Sequence, residues 1–376
     1  MSARLKVGIV GCGNIAGNHL EAYAGLPGTE VVGVCDVDVD RARAFARDRG
    51  VPYAAGSLTE LLAVGVDALS VCTPHPTHEA VVLEAASAGV HVLCEKPIAV
   101  DVDAAERMVE CAERNAVTLA VVFQRRFWPG AQALRSAIDE GRLGRPMLGH
   151  CQVLLRRGTD YYDAAEWRGT WAADGGGVLM TQAIHNVDLL QWFMGEPVEV
   201  TAKAGTFVLD GVVEVEDTAA ALITFSSGAV ATLSATVAAS PSLGTRITVT
   251  GSNGATADVA EYPEGSDAVN DLWTVPGQER AGSVFADGLV GDVPVHEVNS
   301  NLLPLHRLQV ADFVDAVRND RRPAVTGQDA ITSLRVVRAI YESARTGQPV
   351  VIAPAGHTTS PPFAHFDRRV GVASPR

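Results

Sequence analysis

Between Leu5 and Phe123, short runs that are apolar throughout alternate with longer stretches rich in Ala, Leu, Glu and Arg. The apolar runs are residues 6–10, 30–35, 68–72, 90–94 and 117–123; the stretches between them include 39–49, 78–88 and 102–114. A strand covered on both faces has no solvent side, so its sequence does not alternate between polar and apolar. Repeated strand–helix alternation of this kind predicts a doubly wound parallel sheet with helices on both faces, an α/β domain.

After Phe123 the texture changes. Residues 131–140 and 178–194 read as helices, the second entered through Gly175-Gly176-Gly177. Alternating segments at 200–208, 218–225, 229–237 and 246–250 follow, some separated by turns at Ser226-Ser227-Gly228 and Gly251-Ser252-Asn253-Gly254. Such spacing predicts an antiparallel or mixed sheet. Two amphipathic helices are expected at 305–319 and 329–346, and 261–301 reads as an extended loop or a lid. The chain thus divides into a first domain over 1–123, a second α/β domain over 124–352 and a loose tail over 353–376.

Charge and cysteine usage exclude several functions. Thirty basic against 44 acidic residues give a net charge of −14, with no Lys/Arg run. Binding to the phosphate backbone of nucleic acid is therefore not expected. No stretch approaches the apolar length of a membrane span, and the apolar segment after Arg4 and Lys6 is too short for a signal peptide. Cysteines at 12, 35, 72, 94, 111 and 151 form no CxxC pair and read as packed free thiols, which places the chain in the reducing cytoplasm. The histidines at 296, 306, 357 and 365 lack metal-ligand spacing, so no metal is expected.

Where the first strand stops, Gly11-x-Gly13-x-x-Ala16 begins, with Asn14 and Ile15 between. The first glycine permits a tight turn, the second lets backbone amides approach a pyrophosphate, and the small Ala16 lets helix and strand pack closely. The helix start adds free N–H groups and the positive end of its dipole. Twenty residues beyond Ala16, Asp36 ends the second strand, where a carboxylate can accept from an adenosine ribose. The competing assignment is that Asp36 caps the helix starting near Asp38. A 2′-phosphate would meet like charge at Asp36, and Arg41 and Arg43 come a helical turn later. NAD is therefore expected over NADP.

Two further segments end at carboxyl ends of strands, where doubly wound sheets bind ligands. One is Cys72-Thr73-Pro74-His75-Pro76-Thr77-His78, the other Cys94-Glu95-Lys96-Pro97. Thr73, Pro74, His75, His78, Glu95 and Lys96 are candidate cofactor contacts. A lysine in a rigid, partly desolvated turn beside an oxidised nicotinamide has its pKa lowered toward neutrality, which suits Lys96 to proton exchange with a hydroxyl. On the 178–194 helix, Thr181, His185 and Asp188 stand at i, i+4 and i+7 and are expected to share a polar face beside an apolar stripe. That makes His185 a second proton-transfer candidate and Thr181 a substrate contact. Trp167 can stack on a sugar and Arg168 can reach a sugar or the nicotinamide ribose; a packing Trp with a surface Arg is the bland alternative.

Taken together, Gly11–Ala16 with Asp36, Thr73-Pro74…His78, Glu95-Lys96-Pro97 and Gly175-Gly176-Gly177…His185-x-x-Asp188 resemble the Gfo/Idh/MocA oxidoreductases over about residues 5–350. The resemblance implies a Rossmann domain followed by an α/β domain with a large open sheet. It also implies a tightly bound nicotinamide cofactor and hydride transfer at a ring carbon of a sugar, cyclitol or related polyol. It maps the family lysine to Lys96 and the helix histidine to His185, places cofactor or substrate contacts at Gln124 and Arg126, and implies a homodimer or homotetramer. Many members carry Asp four residues before the histidine; here Thr181 stands there, as in branches that act on nucleotide-linked or N-acetylated sugars. An NAD-using glycosidase acting by oxidation and elimination, and a non-catalytic dinucleotide sensor, are the alternative functions.

Overall fold

The five apolar runs all become strands of one parallel sheet. In the computed structural model the described residues are 4–352 except 165, 166, 287 and 290; the expected tail at 353–376 lies outside them. Strands β1 (Leu5–Val10), β2 (Thr29–Cys35), β3 (Ala54–Ala55), β4 (Ala68–Val71), β5 (His91–Cys94) and β6 (Leu119–Val121) lie in the order β3-β2-β1-β4-β5-β6. All neighbours pair in parallel. The order reverses between β1 and β4, so the loops leaving them diverge and open a crevice at the carboxyl edge. Helices Val39–Arg49 and Val102–Arg114 fill the expected spans, each started by an aspartate, Asp38 or Asp101, that accepts a first-turn N–H. β3 and the short Leu58–Leu62 helix were not expected, because a two-residue strand carries no periodicity.

The second sheet is mixed. It contains β7 (Pro146–Leu154), β8 (Pro197–Gly205), β9 (Thr218–Phe225), β10 (Val230–Thr236), β11 (Gly244–Gly251), β12 (Thr256–Glu261), β13 (Leu272–Trp273), β14 (Arg280–Ala281) and β15 (Val350–Val351). Their order is β14-β13-β12-β11-β7-β10-β9-β8-β15, and β7 and β10 form its one parallel pair. The central strand β7 was not anticipated. Its inward residues are Gly149, Cys151 and Val153, two of them weak apolar markers, so the alternation is faint in sequence. Part of the expected lid, 261–301, is ordered as β13, β14 and a Val295–Asn301 helix.

Helices Ile184–Met194 and Gly327–Thr346 cover the inner face of this sheet. The other face carries exposed Leu222 and Val230 beside His150 and Thr232. Helix Leu303–Arg318 crosses back and packs Val310, Phe313 and Val314 against Tyr23, Val7 and Leu93 of the first half. Helix Gly327–Thr346 packs on β8 of the second sheet and on β6 and the Val102–Arg114 helix of the first, and so joins the two. No helix among the described residues is long and apolar enough to cross a membrane.

Candidate functional site

At the crevice, β1 ends in Gly11, whose φ of 90° favours glycine. A Cβ there would lie 2.6 Å from the Cys72 carbonyl oxygen, so only glycine lets the β1 and β4 loops close up. Gly13 faces open space, Asn14 is exposed, Ile15 is half-buried, and fully buried Ala16 starts the Ala16–Ala24 helix. The turn is a bare backbone cradle at a helix N-terminus, the form an anion site takes. Asp36 accepts the Cys12 N–H at 2.9 Å through one oxygen and the Asp38 N–H at 2.9 Å through the other. The helix cap is Asp38, which accepts from the Arg41 N–H, so Asp36 does not serve as the cap. Arg41 reaches back to within 3.6 Å of Asp36, closer than its sequence position suggested. Gln124, after β6, is buried with Oε1 unpartnered, an acceptor in want of a donor. Cradle, carboxylate and orphan amide fit an adenine dinucleotide carrying a carboxamide.

Lys96 sits just past β5, and its Nζ donates to the Thr181 carbonyl at 2.8 Å. Burial lowers its pKa; the Glu95 charge opposes this and the Arg125 guanidinium adds to it. Glu95 is itself buried. One of its oxygens accepts from His19 Nε2 at 3.0 Å and the other from the Lys96 backbone N–H at 3.1 Å. Burial works against its ionisation, but the His19 hydrogen bond and neighbouring positive groups bring the carboxyl down to about 2.

The segment carrying Thr181 enters as a π-helical turn, Leu179–Ala183, before the α-helix Ile184–Met194. Glu216 holds its start: the carboxylate accepts the N–H groups of Gly177 at 2.8 Å and Leu179 at 2.9 Å, and the Tyr341 hydroxyl donates to it at 2.9 Å. A Cβ at position 177 would collide with the Glu216 backbone oxygen, which accounts for the third glycine of the run. Burial pushes the Glu216 carboxyl up to about 7. His185 is buried against the edge of Phe123, with Nδ1 unpartnered. Burial, reinforced by Lys96 and Arg125, keeps its pKa well below the ordinary histidine value.

Facing these are the Thr159–Asp163 helix and residues 167–174. His75 Nδ1 donates to the Asp174 carbonyl at 3.0 Å and its ring lies edge-on to Trp167, 6.2 Å between centroids. Burial, then the nearby positive groups, push His75 down to about 3. The Asp174 carboxylate accepts the Gly169 N–H at 2.6 Å, and burial raises it to about 6. Arg168 stacks on Tyr161 at 4.2 Å and donates to its carbonyl, leaving Nε unpartnered. Arg157 is held by Glu264 through two hydrogen bonds of 2.9 and 2.7 Å.

Five sequence expectations need correction. Arg126 does not face a ligand: it is buried, its Nε and Nη2 each donate to Asp188 at 2.7 Å, and Asp329 lies 3.5 Å away. His78 is fully buried between the carbonyls of Thr73 and Pro97, tying one loop to the other rather than meeting a cofactor. The Glu95 carboxylate is occupied by His19 and the backbone. Thr181 turns its hydroxyl to the Gly177 carbonyl and Gln182 and serves Lys96 through its own carbonyl. The shared face of Thr181, His185 and Asp188 also fails: the wider π turn breaks the α-helical spacing between Thr181 and His185, and Asp188, one α-helical turn beyond His185, is taken up by Arg126. Thr73 accepts from Thr77 beside Pro74, half-open to the crevice. Sequence reasoning missed Asp174, Glu216, Arg157 and His19. Of these, His19, one helical turn beyond the glycine cradle, and Asp174, directly before Gly175-Gly176-Gly177, stood near a readable motif. Among the described residues no group of three or more His, Cys, Asp or Glu is gathered to hold a metal, and all six cysteines are buried and unbonded.

Comparison with known proteins matches this arrangement to one family. Residues 5–123 fit the oxidoreductase family's NAD-binding Rossmann fold, and residues 135–352 fit its C-terminal alpha/beta domain. The chain is 27% identical over 368 residues to D-apiose dehydrogenase of Paraburkholderia graminis, covering 95% of this chain and 94% of that protein. It is 26% identical over 354 residues to inositol 2-dehydrogenase of Rhizobium meliloti, covering 93% and 99%. The WlbA dehydrogenase of Bordetella pertussis, solved with NADH and UDP-GlcNAcA, superposes with a TM-score of 0.80 at 32% identity, covering 93% and 99%. The chain belongs to the Gfo/Idh/MocA family and is an NAD-using oxidoreductase.

Proposed function

We propose that this enzyme transfers hydride between the nicotinamide of NAD and a secondary ring carbinol of a nucleotide-linked sugar or related sugar derivative, with Lys96 and His185 exchanging the hydroxyl proton. The observation that carries the reading is the pairing of a buried, pKa-lowered amine with a buried imidazole whose Nδ1 has no partner. An unsatisfied buried polar atom is unfavourable, and a substrate hydroxyl relieves it. The Thr181 carbonyl orients the amine, Phe123 fixes the imidazole, and Trp167 beside His75 offers an apolar face to a sugar ring. Bound NAD supplies the hydride acceptor. A nucleotide-linked substrate is favoured over a free cyclitol by the absence of a carboxylate at position 181 and by the likeness to the UDP-GlcNAcA complex. Mass spectrometry of ligands released from purified protein, followed by an NADH absorbance screen of sugar nucleotides, sugars and cyclitols, tests this. Reduction of NAD by cyclitols alone would reject the nucleotide-sugar assignment.

We also assign preference for NAD over NADP to Asp36. Replacing it with serine removes the like charge and leaves Arg41, still paired with Asp38 at 3.2 Å, as the nearest cation for a 2′-phosphate. NADP affinity is expected to rise and NAD affinity to fall, each by about tenfold, one decade being 1.4 kcal/mol; titration calorimetry with both dinucleotides checks it. Division of labour follows the two sheets: 1–123 binds cofactor and 124–352 shapes the substrate site and oligomer. The face bearing Leu222 and Val230 is covered by a second copy in this reading. Light scattering of wild type and Leu222→Lys should show an oligomer that the lysine weakens, and a monomeric wild type would end that assignment.

A further inference from the structure

Behind Lys96 runs a buried chain of polar groups that the proton-exchange step does not use. Tyr23 and His19 stand on consecutive turns of the Ala16–Ala24 helix, Ser70 on β4, and Glu95 at the end of β5. The Tyr23 hydroxyl lies 3.0 Å from Ser70 Oγ, Ser70 Oγ 3.0 Å from His19 Nδ1, and His19 Nε2 3.0 Å from Glu95 Oε1. His19 and Ser70 are wholly buried.

Donor accounting sets a direction. An ionised carboxylate only accepts, so His19 Nε2 carries the proton facing Glu95. Nδ1 then accepts from the Ser70 hydroxyl, and Ser70 accepts from Tyr23, whose O–H burial holds protonated. In this order no buried donor goes unused. The second histidine near Glu95 does not replace His19. Its Nδ1 donates to the Leu302 carbonyl at 3.0 Å, so the unprotonated Nε2 of His306 turns a lone pair toward Glu95 from 3.9 Å, and burial disfavours its protonation.

We propose that His19 is a positioning residue for Lys96: by donating to Glu95 it keeps that carboxylate charged and fixed beneath the lysine backbone, aiming the amine across the crevice. The inference rests on the proton-exchange reading of Lys96 given above. A carboxylate that loses a hydrogen bond to its charged form protonates at higher pH. The other titratable groups facing Glu95 are Lys96, His306, His75, His78 and the thiols of Cys72 and Cys94. Around Lys96 stand Arg125, Arg157, Asp174, His75, His185 and His306. None of these donates a hydrogen bond to the Glu95 side chain within the usual distance except the Lys96 backbone N–H.

The composition makes a direct test possible without a substrate, because the chain's only lysines are Lys6, Lys96 and Lys203. Lysine isotopically labelled at Cε gives one resonance each, and Lys96→Met assigns the third. In wild type the His19 hydrogen bond holds the Glu95 carboxyl below the usual carboxylate range, so the Lys96 signal should show no carboxylate inflection from about pH 4 to 7. His19→Asn keeps the atom facing Ser70 and loses the donor to Glu95; an acidic inflection is then expected in the Lys96 signal within that window. His19→Gln keeps a donor at the Nε2 position and should restore the wild-type trace. Glu95→Gln in the His19→Asn background should erase the inflection. Identical traces for wild type and His19→Asn would overturn the proposal. So would a change shared by all three lysines, or failure of His19→Gln to restore. Turnover by Lys96→Met would defeat the catalytic reading yet leave this inflection in place, so the two failures are separable.

Discussion

Lys96→Met is expected to reduce turnover by about 10²–10⁴-fold, the usual contribution of a positioned acid or base, while leaving dinucleotide binding nearly intact. The substitution keeps most of the apolar stem and removes only the amine that donates to the Thr181 carbonyl. Nothing in the glycine cradle or at Asp36 depends on that amine, so calorimetric NAD affinity serves as the control. The pH dependence follows from the direction of the shift. Oxidation of a carbinol needs the neutral amine as base, so the rate should rise with pH through the Lys96 midpoint. Burial lowers that midpoint below the ordinary lysine value, so the plateau should be reached at lower pH than an exposed lysine would give. In the reductive direction the ammonium form is the acid, and the same midpoint should appear as a falling limb. A fully active Lys96→Met enzyme would sink the mechanism.

The second large effect concerns stability. Arg126→Met is expected to destabilise the fold by about 3–5 kcal/mol, because it strands the Asp188 carboxylate in the interior. Asp188 has no exposed surface and keeps only Ser333 at 3.2 Å and Gln191 at 3.4 Å once the guanidinium is gone. Arg126 also packs over the Trp192 ring at 5.3 Å, so part of the loss is contact area. A buried ion pair is worth far less against an apolar replacement than against a broken half. Adding Asp188→Leu to Arg126→Met should therefore recover much of the loss. Urea unfolding of the single and double variants measures both. A higher KM at unchanged stability would restore Arg126 as a substrate contact.

The contrast between Lys96 and Arg126 shows what kind of information sequence carries. Both are cations just past strands of the first sheet, and both sit in motifs the family resemblance singles out. The Lys96 amine donates to a carbonyl rather than to a carboxylate, and the adjacent Glu95 side chain turns back to His19. Arg126 meets a carboxylate 62 positions away. Helix periodicity placed Thr181 on a face with His185, and that would have held for an unbroken α-helix. The π turn at Leu179–Ala183 breaks that spacing, and its start is held beside Gly177 by Glu216 and Tyr341, which come from two distant segments. No local pattern encodes such a convergence.

Strand–helix alternation, the glycine turn and the Asp36 strand end were legible because each depends on neighbours within a few residues: continuous apolar burial, backbone freedom at Gly11, and the length of one strand. The same is true of Lys96, delivered to the crevice by the strand it follows. The partners that set its chemistry, namely the Thr181 carbonyl, the His19–Glu95 bond and the charges of Arg125 and Asp174, come from elements up to 85 residues away. Which of those groups meet, and which cations are neutralised before any ligand arrives, depends on how two sheets and the crossing Leu303–Arg318 helix pack. Packing energies act through space and leave no periodic trace along the chain, so that part became readable only in three dimensions.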